Sequence, residues 1–132
     1  MQDSLDEVLS ANAHFYEAFA SGNFGLMQRL WSDTADVTCI HPGWGSVIGR
    51  ESVMRSWETI LQSPPQIACT EPRGFVNGES AYVIAYENLG DGRLIATNLF
   101  RLESDEWKMI HHQAGVARPV TTQQRASHTA IH

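Results

Sequence analysis

The sequence has little cysteine, little positive charge and no long apolar run, and each shortage closes a class of explanation. Cys39 and Cys69 are the two cysteines among 132 residues. They are too few for a disulfide scaffold, and no C-x-x-C or Cys/His ligand spacing suggests a zinc site. Two reduced, mostly buried thiols packing as small hydrophobes are expected. Nine Lys and Arg stand against fifteen Asp and Glu, for a formal charge of −6. The basic residues are scattered, so no phosphate-tracking surface is visible and nucleic acid is not an expected partner. No stretch approaches the roughly 20 apolar residues that span a bilayer. The N-terminus, "MQDSLDEVLSANAHFYEAF", lacks the basic start and continuous apolar core of a signal or transit peptide. A soluble, cytoplasmic protein without membrane partners is expected, and the length suits one domain.

What is present begins with helical periodicity. Leu5, Val8, Leu9, Asn12, Phe15, Tyr16 and Phe19 recur at three- and four-residue steps, the spacing of one helix face. Ser4 and Glu7 fit a capping box and Gly22 a helix stop, which predicts a helix from about Ser4 to Ala20. Asn23 is placed to cap a second helix through Phe24, Met27, Leu30 and Trp31. Ala35 to Ile40, rich in β-branched residues, reads as a strand that delivers His41 to its end. After Gly49, the spacing of Val53, Trp57, Ile60 and Leu61 predicts a third helix, stopped by Ser63-Pro64-Pro65.

From Gln66 onward the pattern changes to runs separated by turn signals: Ile67 to Val76, Ala81 to Leu89, Leu94 to Leu102 and Trp107 to Val116. Asn77-Gly78 between the first two is a strong hairpin signal, expected as a type I′ turn. Helices before strands imply an α+β domain over 1–118, a curved antiparallel sheet closed into a cone by three N-terminal helices. Residues 119–132 have few large apolar side chains and no periodicity, and read as a flexible tail unless a partner subunit holds them.

Two signatures, "HPGWG....GRE...W" and "ATNLFR......WKMIHHQ", together with this element order, resemble the nuclear-transport-factor-2-like superfamily, which has a cystatin-like architecture. More narrowly, the chain resembles a SnoaL-like domain, a branch related to polyketide cyclases and ketosteroid isomerases. The similarity covers about Leu5 to Ala117. It implies a small-molecule pocket in the cone and a homodimer through the outer sheet face. In the catalytic relatives a carboxylate inside the cone removes a proton next to a carbonyl while hydrogen-bond donors stabilise the enolate. No acid stands at the matching strand ends here, where Cys39-Ile40-His41 and His111-His112-Gln113 are found.

Histidine can replace the carboxylate as base, because its intrinsic pKa of about 6.5 lies near operating pH. His41 and His112 are therefore the candidate catalytic residues. Pro42 and two glycines fix the His41 loop, either as a pocket rim or as a packed corner. On the last strand either His111 or His112 can face inward, since a bulge shifts register. Asn98 falls on an apolar strand face with Ala96 and Phe100 and must find partners, from the protein or from a ligand. Tyr16, Trp31, Trp44, Trp57, Asn98 and Phe100 are the candidate ligand-binding residues, the tryptophans as apolar walls whose indole nitrogens need partners or solvent. Tyr82 and Tyr86 lie on the strand face opposite Glu87, so those tyrosines and that acid should not meet in one site. No metal and no cofactor is expected. The two functional expectations are a binder or enzyme for a compact hydrophobic molecule, acting by proton transfer next to a carbonyl, and a non-catalytic homodimeric module.

Overall fold

The computed structural model describes residues 2–118, and the segment read as a tail, 119–132, lies outside them. The elements are α1 (Gln2–Ser21), α2 (Phe24–Leu30), β1 (Thr38–Ile40), β2 (Val47–Ile48), α3 (Arg50–Ile60), β3 (Ala68–Asn77), β4 (Ser80–Leu89), β5 (Gly92–Glu103) and β6 (Glu106–Val116). They form three helices over one six-stranded sheet ordered β2-β1-β6-β5-β4-β3. The α+β class and the helix cover agree with the sequence expectation. One pairing is different: β1 runs parallel to β6, with Cys39 opposite His112, so the sheet is mixed. The parallel pair is possible because the connection from β1 to β6 is long and carries a helix and a meander.

Local signals hold in part. Asn23 caps α2 with its side-chain oxygen accepting from the Leu26 amide at 3.0 Å. Ser4, by contrast, lies inside α1, which already begins at Gln2; the capping-box reading placed the helix start too late. The β3–β4 turn has Gly78 and Glu79 at its centre, between the paired Asn77 and Ser80. Only Gly78 has a positive φ, 63°, which fits a type II′ turn, with glycine first, and not type I′. Both central residues of the β5–β6 turn, Ser104 and Asp105, have positive φ.

The inner face of the sheet forms the core with α1 and α3. On β4 it presents Ala81, Val83, Ala85 and Glu87, and on β5 Ala96, Asn98 and Phe100, all buried. A register shift between Leu99 and Phe100 places Trp107, Met109, His112 and Ala114 of β6 on that face. A second shift interrupts β3 between Thr70 and Arg73. Such bulges add local twist and bend a sheet, and here they let its inner face wrap α1. Both cysteines are free thiols, Cys39 fully buried and Cys69 partly so. Among the described residues, no helix is long and apolar enough to cross a membrane.

Candidate functional site

Asn12 and Tyr16 lie one turn apart on α1 and therefore point the same way, toward the polar members of the inner sheet face. The Tyr16 hydroxyl donates to Glu87 Oε2 at 2.6 Å. Asn98 Nδ2 donates both to Asn12 Oδ1 at 2.9 Å and to Tyr16 Oη at 3.2 Å. Asn98 Oδ1 lies 2.6 Å from His112 Nδ1, and His112 Nε2 lies 3.9 Å from Glu87 Oε2. Tyr16, Glu87, His112 and Asn98 close a polar loop inside an apolar core, and Asn12 joins it through Asn98. None is more than 6% exposed.

His41 sits beside this loop, its ring centroid 6.3 Å from that of His112. Its Nε2 is 2.9 Å from Ser56 Oγ and 3.5 Å from Cys39 Sγ. The Ser56 hydroxyl donates its single hydrogen to the Val53 carbonyl at 2.7 Å. His41 Nε2 must therefore be the donor to Ser56, and its Nδ1 carries the lone pair. Trp57 packs against both histidines, at 4.7 Å from His41 and 5.8 Å from His112, and Phe15 backs Trp57 and His112.

Electrostatics follow from burial. Desolvation lowers the His112 pKa to about 3, with neighbouring His41 and His111 adding to the effect. Desolvation alone lowers His41 to about 4. Glu87 is raised by burial, and the Tyr16 hydroxyl partly opposes that by favouring the carboxylate. Tyr16 is raised by burial and by Glu87. The Cys39 thiol is pushed up to about 12 by the same two causes, so it is not a nucleophile at neutral pH. His112 and Glu87 are thus driven toward the uncharged pair, not toward an ion pair.

The sequence candidates separate by position. Tyr16, His41, Trp57, Asn98 and His112 come together in the interior, and Trp31 adjoins them through Trp57 at 6.5 Å. Phe100 is buried on the same sheet face. Trp44 is 48% exposed, its ring centroid 4.7 Å from that of His41 in an edge-to-face arrangement, so it lies between that histidine and solvent. His111 faces outward and shares a 2.6 Å hydrogen bond with Thr38 Oγ1. Glu87 was absent from the sequence candidates. Tyr82 and Tyr86 do lie on the opposite strand face from it, but Tyr16 reaches it from α1. The signal was the acid that ends the alternating series Ala81, Val83, Ala85, Glu87.

Three buried indole nitrogens, those of Trp31, Trp57 and Trp107, have no acceptor among the described residues. Surface clefts of about 510, 460 and 560 Å³ lie elsewhere, beside Arg29 and Lys108, beside Pro64 and Pro65, and over Arg101 and Glu103. His41, Glu87, Asn98 and His112 line none of these three. No group of three or more His, Cys, Asp and Glu among the described residues is placed to hold a metal ion.

Helices folded over a bent mixed sheet, with polar side chains gathered inside, define an NTF2-like protein of the cystatin-like fold class. Residues 8–119 match the model of the SnoaL-like domain, and the chain belongs to that family. A solved NTF2-like protein from Streptomyces avermitilis, described as a candidate dehydratase, is 32% identical with a TM-score of 0.82, covering 89% of this chain and 99% of its own. A candidate calcium/calmodulin-dependent protein kinase type II association domain from Thiobacillus denitrificans is 25% identical with a TM-score of 0.69, covering 82% and 93%. The F-box protein SKIP8 of Arabidopsis thaliana is 26% identical over 113 residues, which are 83% of this chain and 49% of that protein. The chain thus spans about half the length of that curated relative.

Proposed function

We propose that the interior of the cone is an acid–base site for a compact, mainly apolar carbonyl compound, and that it moves a proton at the carbon next to the carbonyl. The observation that carries this reading is the closed polar loop of Tyr16, Glu87, His112 and Asn98, with Asn12 bonded to Asn98, within an aromatic core. Purely structural packing does not call for a buried acid beside a buried imidazole, because burying either group is costly. Neutral His112 has a lone pair free to accept a proton, although burial weakens it as a base, and Glu87, held toward its protonated form, is an acid 3.9 Å away. A base takes the α-proton, the electron pair moves into the carbon–carbon bond, and Glu87 delivers a hydrogen to the carbonyl oxygen. The same two groups serve elimination of water from a β-hydroxy carbonyl, with Glu87 protonating the departing hydroxyl. The likeness to a candidate dehydratase supports that variant.

His41 extends the site toward solvent, and displacement of Trp44 on the exposed loop 42–46 admits the ligand. Trp31 and Phe100 supply apolar wall, and the unpartnered Trp57 indole is a donor left for a ligand oxygen. Incubating the protein with a panel of ketones and hydroxy-ketones in deuterated water tests the reading. Deuterium exchange above background is expected, falling about 10²–10⁴-fold in His112→Asn. Background-level exchange across the panel, or an unchanged rate in that variant, removes the enzymatic claim.

A second reading keeps the cone but assigns the work to its outer face, as a homodimer. Phe75 and Tyr82 stack there at 4.9 Å, and Phe75 and Ile95 are 40% and 39% exposed. The likeness to a kinase association domain favours it. Sedimentation at micromolar concentration should give a dimer, and a monomer contradicts this reading.

A further inference from the structure

The interior site leaves open which nitrogen of His112 carries the lone pair, and the side chains around it answer that by hydrogen counting. Asn98 and His112 are directly opposite one another on β5 and β6, so the sheet register forces their side chains together on the buried face. The Asn98 amide has two hydrogens, and both are used: one goes to Asn12 Oδ1 at 2.9 Å, the other to Tyr16 Oη at 3.2 Å. What remains for His112 is Asn98 Oδ1, at 2.6 Å from Nδ1. A carbonyl oxygen can only accept, so Nδ1 must bring the hydrogen. Because Tyr16 Oη accepts from Asn98, its own hydrogen is directed to Glu87 Oε2.

We propose that Asn98 is a positioning residue that holds His112 in the Nδ1-protonated tautomer and aims the bare Nε2 at Glu87. The role rests on the reading of the interior as an acid–base site, but it concerns a different atom. Asn98 then touches no substrate. It decides which imidazole nitrogen can accept a proton, and it does so only because Asn12 and Tyr16 fix which way its amide faces. Were the amide reversed, its NH₂ would meet Nδ1, the hydrogen would move to Nε2 and no lone pair would face Glu87. Asn12 is thus the outer anchor of the arrangement, since its carbonyl oxygen accepts from Asn98.

Long-range proton–nitrogen correlation spectra of uniformly ¹⁵N-labelled protein at neutral pH read the tautomer directly, with the His112→Asn spectrum identifying the signals. Protonated Nδ1 and unprotonated Nε2 are expected in the wild type. Asn98→Asp, which keeps an acceptor facing Nδ1, should retain that pattern, and Asn98→Leu should lose it along with about 10²-fold or more of the exchange rate. A wild-type signal from Nε2–H overturns the proposal, as does an Asn98→Leu protein that keeps the Nδ1–H form unchanged. Should the leucine variant fail to fold, the wild-type and aspartate spectra decide alone. The Nδ1–H tautomer in a protein without exchange activity removes the enzymatic reading and leaves the role of Asn98 standing.

Discussion

Tyr16 shows how much a single oxygen can carry in this interior. It accepts from Asn98 and donates to Glu87, so Tyr16→Phe strands one amide hydrogen and one carboxyl oxygen away from water. Each buried unpaired group costs about 1–3 kcal/mol. Urea unfolding should therefore show the variant less stable by at least about 1 kcal/mol, and a difference within about 0.5 kcal/mol would mean that the loop rearranges freely. At this scale the sequence was partly legible. Alternation placed Asn98 on the apolar face of β5 and helical spacing placed Tyr16 on the apolar face of α1, and both proved buried. Glu87 was not legible as a site residue because the tyrosines of its own strand, Tyr82 and Tyr86, lie on the other face. Its partner lies 71 residues away on α1, a distance that no local pattern spans.

At the scale of elements, the helical layer is tied together by Arg50 at the start of α3. Its guanidinium donates to the carbonyls of Gln28, Trp31 and Ser32 at 2.8, 3.0 and 3.1 Å. These are carbonyls at or just beyond the end of α2, which lack partners within the helix and favour a positive charge. Hydrogen bonds to a charged group contribute roughly 1.5–3 kcal/mol, so Arg50→Ala should lower unfolding stability by that order. Arg50→Lys should recover only part, because an ammonium cannot present the same planar fork. A loss below about 0.5 kcal/mol in the alanine variant would show the clasp to be dispensable. The three helices, β1 and the antiparallel β3–β6 meander were readable from periodicity and turn signals, but the short strand β2 and the pairing of β1 were not. The parallel β1–β6 contact and the bulge at Leu99/Phe100 depend on the whole sheet, and it is that bulge that turns His112 inward and leaves His111 beside Thr38.

Across the whole molecule, the buried histidines couple folding to pH. In the native state their pKa values fall to about 4 for His41 and about 3 for His112, whereas the unfolded chain has histidines near 6.5. Below that value the unfolded state binds protons that the native state refuses, so stability falls as pH falls from about 6.5 toward 4. Each histidine contributes up to about 1.4 kcal/mol per pH unit in that window. Glu87, with its pKa raised, acts in the opposite sense, because the native state keeps a proton that the unfolded chain loses above about 4.3. Denaturant unfolding at pH 7, 6 and 5 should show a steady loss of stability, steeper in Glu87→Gln than in the wild type. Stability that stays level over those three values would contradict the assignment. The cone itself was legible from element order and the two signatures. Its interior chemistry was not, because neither the acid nor the inward histidine is settled until the sheet is closed.

The proposed chemistry depends on an acid and a base that share the interior without charge. A histidine NMR titration of the native protein, with the Glu87 carboxyl carbon followed in the same samples, tests this most directly. The predicted result is a His112 imidazole that stays neutral from pH 7 down to about 4, beside a Glu87 carboxyl that remains protonated above the ordinary carboxylate range. A His112 that protonates near pH 6.5 while Glu87 is ionised would make the two an ion pair and rule out an uncharged acid–base pair.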